Sequence, residues 1–256
     1  MQLSAFIGID YSGAKTATSR LKGLQVYEAK PGQAPTIVRS PSAPKGKNWN
    51  WKRIEIAEWL VSRLHKGDQF IVGIDHAFSF PATYMARNGL ISWDAFLDDF
   101  ISHWPLHEPH SFVDHLRPGN QRTGDPKELR LTEQWTSSAK SVFRFDVQGQ
   151  VAKSTHTGIP WLKHIREQAG EMVHFWPFDG WNVPDGKSII AEVYPSIFRN
   201  RFPRDDRTID QQDAYAISRW LTETTAAGNL PLYFEPPLTK DEKAVAELEG
   251  WILGIF

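Results

Sequence analysis

The sequence predicts an α/β protein, a mixed sheet with helices on both faces. Three features predict it. Short apolar runs at 5–9, 69–75 and 188–194 are of strand length and end in turn residues. The run at 69–75 is apolar almost throughout, the pattern of a parallel strand covered on both sides. Between and after these runs the period becomes helical, at 50–66 and 210–227. The order is three antiparallel strands, helix, strand, helical insertion, strand, helix, which a mixed sheet satisfies.

The first strand, Ala-Phe-Ile-Gly-Ile (5–9), runs into turn chemistry at Ser12-Gly13. Extended segments near 14–21, 23–29 and 35–39, punctuated by Gly23 and Pro31-Gly32, continue it as an antiparallel meander of three strands. Ile54, Ala57, Val61 and Leu64 then recur at helical spacing, and Gly67 supplies a stop. The strand at 69–75 leads into an extended segment closed by Pro81. Residues 82–187 read as a helical and loop insertion between the fourth and fifth strands. Within it Ser92 caps a helix over 93–103, and Pro160 opens another over 160–170. Residues 105–158 are rich in Pro, Gly, Arg, Lys, Ser and Thr and read as a covering over one sheet edge; loops of that length are usually functional. The fifth strand, 188–194, stops at Pro195, and the last helix carries the stripe Ala214, Ile217 and Leu221. No internal repeat divides the chain, so a single domain over 1–256 is expected.

At 256 residues and 41% apolar content the chain can form one sizeable core. A net charge of −1 excludes a general basic field for holding a long duplex, so any nucleic-acid contact must use a local basic patch. Cysteine is absent, which excludes disulfides, thiolate zinc sites and a cysteine nucleophile. No apolar stretch approaches the roughly 20 residues of a membrane helix, and the chain enters a strand-like run at once. A cytoplasmic protein with no membrane partner is the expectation.

Four carboxylates stand where strands and helices end together. They are Asp10 in Ile-Gly-Ile-Asp-Tyr-Ser-Gly, Asp75 in Ile-Val-Gly-Ile-Asp-His, Glu192 in Ile-Ile-Ala-Glu-Val-Tyr-Pro and Asp213 in Asp-Gln-Gln-Asp-Ala-Tyr. Asp210 and Asp213 share a side of the last helix with its apolar stripe, so both point back towards the sheet. Singly, each acid reads as a turn or cap residue, and Asp210 as a helix cap. Together, acids gathered at one sheet edge cannot all stay charged without cations. That points to a divalent-metal site and to phosphate chemistry.

These motifs resemble those of the ribonuclease H-like superfamily, and more narrowly an uncharacterised family of predicted nucleases within it. The resemblance rests on Ile-Gly-Ile-Asp-Tyr-Ser-Gly, Gly-Ile-Asp-His-Ala-Phe-Ser-Phe-Pro, Glu-Val-Tyr-Pro-Ser and Asp-Gln-Gln-Asp-Ala-Tyr-Ala-Ile, and it spans nearly the whole chain. The last motif is also similar to the end of Holliday-junction resolvases. The resemblance implies a mixed five-stranded sheet flanked by helices and two-metal hydrolysis of a phosphodiester. Asp10 would bridge two Mg²⁺ or Mn²⁺ ions, Asp75 and Asp213 would each hold one, and Asp210 or Glu192 would complete the shell. The partner would be DNA or RNA. The second acid of the superfamily is often Glu, so Asp75 departs from the pattern by one methylene.

Other candidates are less pointed. Lys15, with Ser12 and Gly13, follows Asp10 where amides and a cation could meet a phosphate, although a tight turn explains Ser12 and Gly13 equally. Lys153, Ser154, Thr155 and His156 read as a polar loop able to grip a phosphate or simply solvated. Arg199, Arg201, Arg204 and Arg207 form the best local basic patch for a nucleic-acid backbone, diluted by Asp205 and Asp206. Strand alternation turns His76 away from Asp75, which favours a packing role. His103, His107, His110 and His115 give no zinc spacing on one helix. Two other functions share the features. Actin-like ATPases and sugar kinases place an Asp near the end of the first strand, but the duplicated domain of that class has no counterpart here. A non-catalytic nucleic-acid or protein binding module on the same fold is the third possibility.

Overall fold

In the computed structural model, which describes residues 3–43, 50–136, 138–146 and 151–256, two near-identical apolar segments lie side by side at the centre. β1 (Ala5–Asp10, AFIGID) and β4 (Phe70–Asp75, FIVGID) pair in parallel, with Gly8 opposite Gly73 and Asp10 opposite Asp75. β2 (Gln25–Ala29) lies antiparallel to β1, and the short β3 (Thr36–Ile37) lies antiparallel to β2. On the other side β6 (Ser188–Glu192) runs parallel to β4, and β5 (Val173–Trp176) runs parallel to β6. The result is a six-stranded mixed sheet in the order β3-β2-β1-β4-β6-β5.

Two-residue alternation sorts the strand side chains into two cores. Ile7, Ile9, Val72 and Ile74 pack on one face with α1 (Arg53–His65), and also with α2 (Ala82–Arg87), α3 (Trp93–His103), α4 (Val113–Leu116) and α6 (Val151–Ala169) of the insertion. Between them in the chain lies α5 (Leu131–Trp135). Phe6, Ile71, Ile189 and Ala191 pack on the other face with α7 (Ile209–Ala226), α8 (Leu230–Tyr233) and α9 (Lys240–Glu249). No helix among the described residues is long and apolar enough to cross a membrane.

Where the structure departs from the sequence-based expectation, a physical cause is visible. Residues 14–21 are turns rather than a strand. Their carbonyls do not reach a ladder, because the buried Arg53 guanidinium donates to the Ser12, Ala14 and Lys15 oxygens instead. The sheet has six strands rather than five, because β5 forms inside the segment read as insertion. Four residues stopped by Pro177 leave little apolar signal. The helix expected to open at Pro160 is already formed at Val151, the first residue described after 146. Lys153, Ser154, Thr155 and His156 therefore lie within a helix, not in a loop. Gly158 and Pro160, ordinarily breakers, sit within it. A Cβ at 158 would lie 2.3 Å from His76 Nε2, so the helix can lie against the sheet there only with glycine.

Glycine also sets the position of α7. A Cβ on Gly8 would lie 2.1 Å from the Ala214 carbonyl oxygen, and one on Gly73 would lie 2.6 Å from Ile217 Cγ2. Ser218 Oγ donates to the Phe6 carbonyl at 2.8 Å, fixing the helix at that depth. Gly8→Ala is therefore expected to cost about 1–3 kcal/mol through overpacking of a backbone-to-backbone contact. Urea unfolding of the purified variant measures this, and an unchanged midpoint would contradict the close approach.

Candidate metal centre

The geometry that seats α7 also delivers its acid. Thr208 caps the helix by accepting from the Gln211 amide, with Gln211 completing a capping box. Asp210 is thus not the cap. It stands in the first turn, and Asp213 follows one turn later, buried against the sheet. Asp10 and Asp75 share the α7 face with Gly8 and Gly73 by alternation. One carboxylate oxygen from each of Asp10, Asp75 and Asp213 lies within 4.8 Å of the other two.

These acids line a cleft of about 1010 Å³. Its floor is the strand ends, and its sides are the Tyr11–Lys15 loop, the start of α7 and the insertion. Gly13 presses the loop onto α6, since a Cβ there would meet the Lys153 backbone at 2.3 Å. The electrostatics are unfavourable without a cation. Burial, then the charges of Asp75, Asp213 and Asp210, hold the Asp10 carboxyl well above its ordinary range. Burial, then Asp213 and Glu192, raise Asp75 in the same way. Asp213 is raised by burial despite Arg199, which donates to both of its oxygens at 3.2 and 2.9 Å. Asp210 is raised by burial, with Lys22 opposing. Neither Asp10 nor Asp75 accepts a hydrogen bond from a described residue. Three half-buried or buried carboxylates, two of them without a donor, are a set of hard oxygen ligands suited to Mg²⁺ or Mn²⁺.

Glu192 lies in the same cleft but is engaged elsewhere. Arg130, fully buried, donates to its two oxygens at 2.7 and 2.6 Å, and the Phe78 amide adds a third bond at 3.2 Å. The same guanidinium donates to Glu133 at 2.9 Å and to the Glu249 carbonyl at 3.1 Å. The Glu249 carboxylate accepts from the Leu131 and Ala82 amides. Glu192 is thus part of a knot that ties β6, α5 and α9 together, and it stands outside the acid triad.

The predicted cations also separate. Lys15 is exposed at the cleft, in a left-handed conformation with φ of 52°. Lys153 lines the cleft but pairs with Asp114 at 2.7 Å. Ser154, Thr155 and His156 are buried, and Thr155 Oγ1 accepts from the Ala77 amide. Of the four arginines, Arg199 alone lines the cleft. Arg201 is exposed outside it, and Arg207 is bound to Asp205 and Gln212 and lies over the Tyr215 ring. Lys140 and Arg144, which sequence reasoning did not single out, line the cleft from the insertion. Neither they nor Lys15 form an ion pair with a described residue. His76 faces the α6 side, and burial lowers its pKa to about 4.

Compared with protein-family models, with curated proteins and with solved structures, the chain gives no significant match. The reading of the site therefore rests on its own geometry.

Two outcomes are expected. Arg130→Met leaves buried Glu192 and Glu133 without their countercharge and should destabilise the protein by about 3–5 kcal/mol, read by chemical denaturation. The second concerns pH. Folded Asp10 holds its proton to a higher pH than the ordinary value of 3.8. Stability tied to that group is full below the unfolded pKa and is lost as pH rises through the folded one. In EDTA, Asp10→Asn should therefore melt above the native protein near pH 7, with the gap closing towards about pH 4. Calorimetry across that range decides it, and a variant that melts lower at neutral pH would remove the repulsion.

Proposed function

We propose that the protein is a Mg²⁺- or Mn²⁺-dependent nuclease with a ribonuclease H-like sheet, hydrolysing a phosphodiester in nucleic acid. The observation that carries this reading is the triad Asp10, Asp75 and Asp213, gathered within 4.8 Å at the floor of an open cleft. Bound there, the metal would supply an activated water and neutralise charge on the phosphoryl oxygens. The chain's own residues would do the rest. Asp10 and Asp75, adjacent across β1 and β4, would hold the ions, with Asp213 on the opposite side and Asp210 one turn away to complete the shell. Glu192, held by Arg130, would shape the floor rather than ligate. Arg199 would pass from Asp213 to a substrate phosphate once the acids are neutralised. Lys15, Lys140 and Arg144 would draw an anionic backbone into the cleft.

Segregation of charge supports an anionic substrate over a free binding surface. The overall charge is −1, yet three cations without ion-pair partners among the described residues line the one cleft that holds the acids. Thermal unfolding should rise with Mn²⁺ for the native chain, by about 2.7 kcal/mol at a hundredfold excess over Kd. Asp10→Asn should lose that response, and with it Mn²⁺-dependent cleavage of a mixed panel of labelled DNA and RNA oligonucleotides. Stabilisation by ATP but not by oligonucleotides would favour a kinase-like enzyme. No metal response in either chain would sink the nuclease reading.

A further inference from the structure

The cleft above the acid triad is not lined by charge alone. Phe112, Phe145, Tyr194 and Ile209 also border it. The three aromatic residues are half-buried, and Ile209 is 59% exposed. One large apolar side chain at a surface is ordinary, but four around a single cleft form a patch that folding has not covered. Nothing in the fold needs Ile209 there. It is the first residue of α7, and Thr208 and Gln211 already cap that helix.

The four stand on two walls. Phe112 precedes α4, and Phe145 packs against the core on the α6 face of the sheet. Tyr194 packs against the core on the α7 face, and Ile209 opens α7 itself. Cations are interleaved with them. Lys140 and Arg144 belong to the insertion wall, Arg199 to the α7 side, and Lys15 to the loop after β1. The exposed acids of the insertion wall are already paired, Asp114 with Lys153 at 2.7 Å and Asp146 with Arg117 at 3.5 Å. They leave Lys140 and Arg144 unmatched.

Apolar and basic groups side by side select among nucleic acids. A duplex turns its phosphates and sugars outward and hides the faces of its bases, so it meets such walls with charge alone. An unpaired strand brings both a charged backbone and free base faces. Size points the same way. At about 1010 Å³ the cleft stands at the top of the range for a small-molecule pocket, roughly 300–1,000 Å³, so more than one nucleotide can enter. The acids lie low between the walls, with Asp213 only 7% exposed. A phosphate that reaches them must descend between both walls, and a paired strand would have to bring its complement along.

We propose, resting on the nuclease reading of the acid floor, that the cleft takes an unpaired strand of nucleic acid, DNA or RNA. Its phosphates lie on Lys15, Lys140, Arg144 and Arg199, and its bases lie against Phe112, Phe145, Tyr194 and Ile209. Sequence preference is weak on such a surface, because every base has a face to stack.

The test uses the full chain and fluorescence anisotropy. Labelled strands of about 12 nucleotides, one of DNA and one of RNA, are compared with their own duplexes. Binding is read in Ca²⁺, a hard cation that carboxylates hold. The DNA strand, the RNA strand or both should bind at least about tenfold tighter than the matching duplex. Tyr194→Ala should weaken that binding by about tenfold, and Ile209→Ser should weaken it several-fold. Both should keep the native rise in melting temperature with Mn²⁺. Ile209→Ser changes a surface residue, so it decides the matter if Tyr194→Ala does not fold. Duplex bound as tightly as single strand, no binding of either, displacement by a mononucleotide at matched concentration, or native affinity in the folded variants would each overturn the proposal. The same oligonucleotides in Mn²⁺ separate it from the nuclease reading. Cleavage of duplex alone would keep the nuclease and remove the unpaired strand. Preferential binding of single strand without cleavage would keep the strand and remove the nuclease.

Discussion

The depth at which α7 meets the sheet is the constraint on which the rest of the site depends. An ordinary helix stands off a sheet by the thickness of two side-chain layers. Here the layer is missing at Gly8 and Gly73, which lie opposite each other in the register of β1 and β4. The helix backbone settles into that gap, near enough for Ser218 to bond the Phe6 carbonyl. Two residues beyond each glycine stands an aspartate, on the same face by alternation. The same sinking of the helix that removes two side chains therefore brings Asp213 onto Asp10 and Asp75. Packing and charge are coupled: the tighter the helix sits, the closer three like charges are forced.

That coupling explains why the charges around the cleft are handled in two different ways. Glu192 and Glu133 are buried with a matched guanidinium, and burial lowers the Arg130 pKa less than the two glutamates raise it. This is a closed structural arrangement, costly to break and of limited net value once made. Asp10 and Asp75 have no such partner, and only Arg199 opposes the triad. A protein that can neutralise one pair of buried acids with Arg130 and leaves three others crowded a short distance away holds the second group under electrostatic strain. Strongly perturbed acids in a cleft are candidates for function for that reason.

The repeated Gly-Ile-Asp at the ends of β1 and β4 is legible in the sequence because both its causes are local: a strand needs short apolar runs, and a carboxylate at the end needs solvent or a cation. The helical side of Asp213 is legible for the same reason, since spacing alone puts it with Ala214 and Ile217. What does not show are partners remote in the chain. Arg130 lies 62 residues from Glu192, in a segment with no strong period, so nothing in the sequence says that this glutamate is already engaged. Arg53, from α1, captures the carbonyls of Ser12, Ala14 and Lys15, which removes a strand that composition favours. Gly158 and Pro160 read as breakers because propensity is a weak prior. Tertiary packing of a helix buried through 154–162 overrides it where close approach to His76 requires glycine.

The insertion then has a physical role beyond covering an edge. Through α6 and its packing on α1, it fixes the face of the sheet opposite α7, so the two central strands are held between rigid layers. Through Lys140 and Arg144 it places positive charge across the cleft from the acids. Lys140 and Arg144 are exposed, so solvent rather than the acid floor meets their charge, and the two signs are kept apart rather than paired. On the proposed function, a metal ion alone would relieve the floor and leave the cations facing a more positive site, and an anionic ligand alone would relieve the cations and worsen the floor. The two signs would be balanced together only with a cation below and an anion above it.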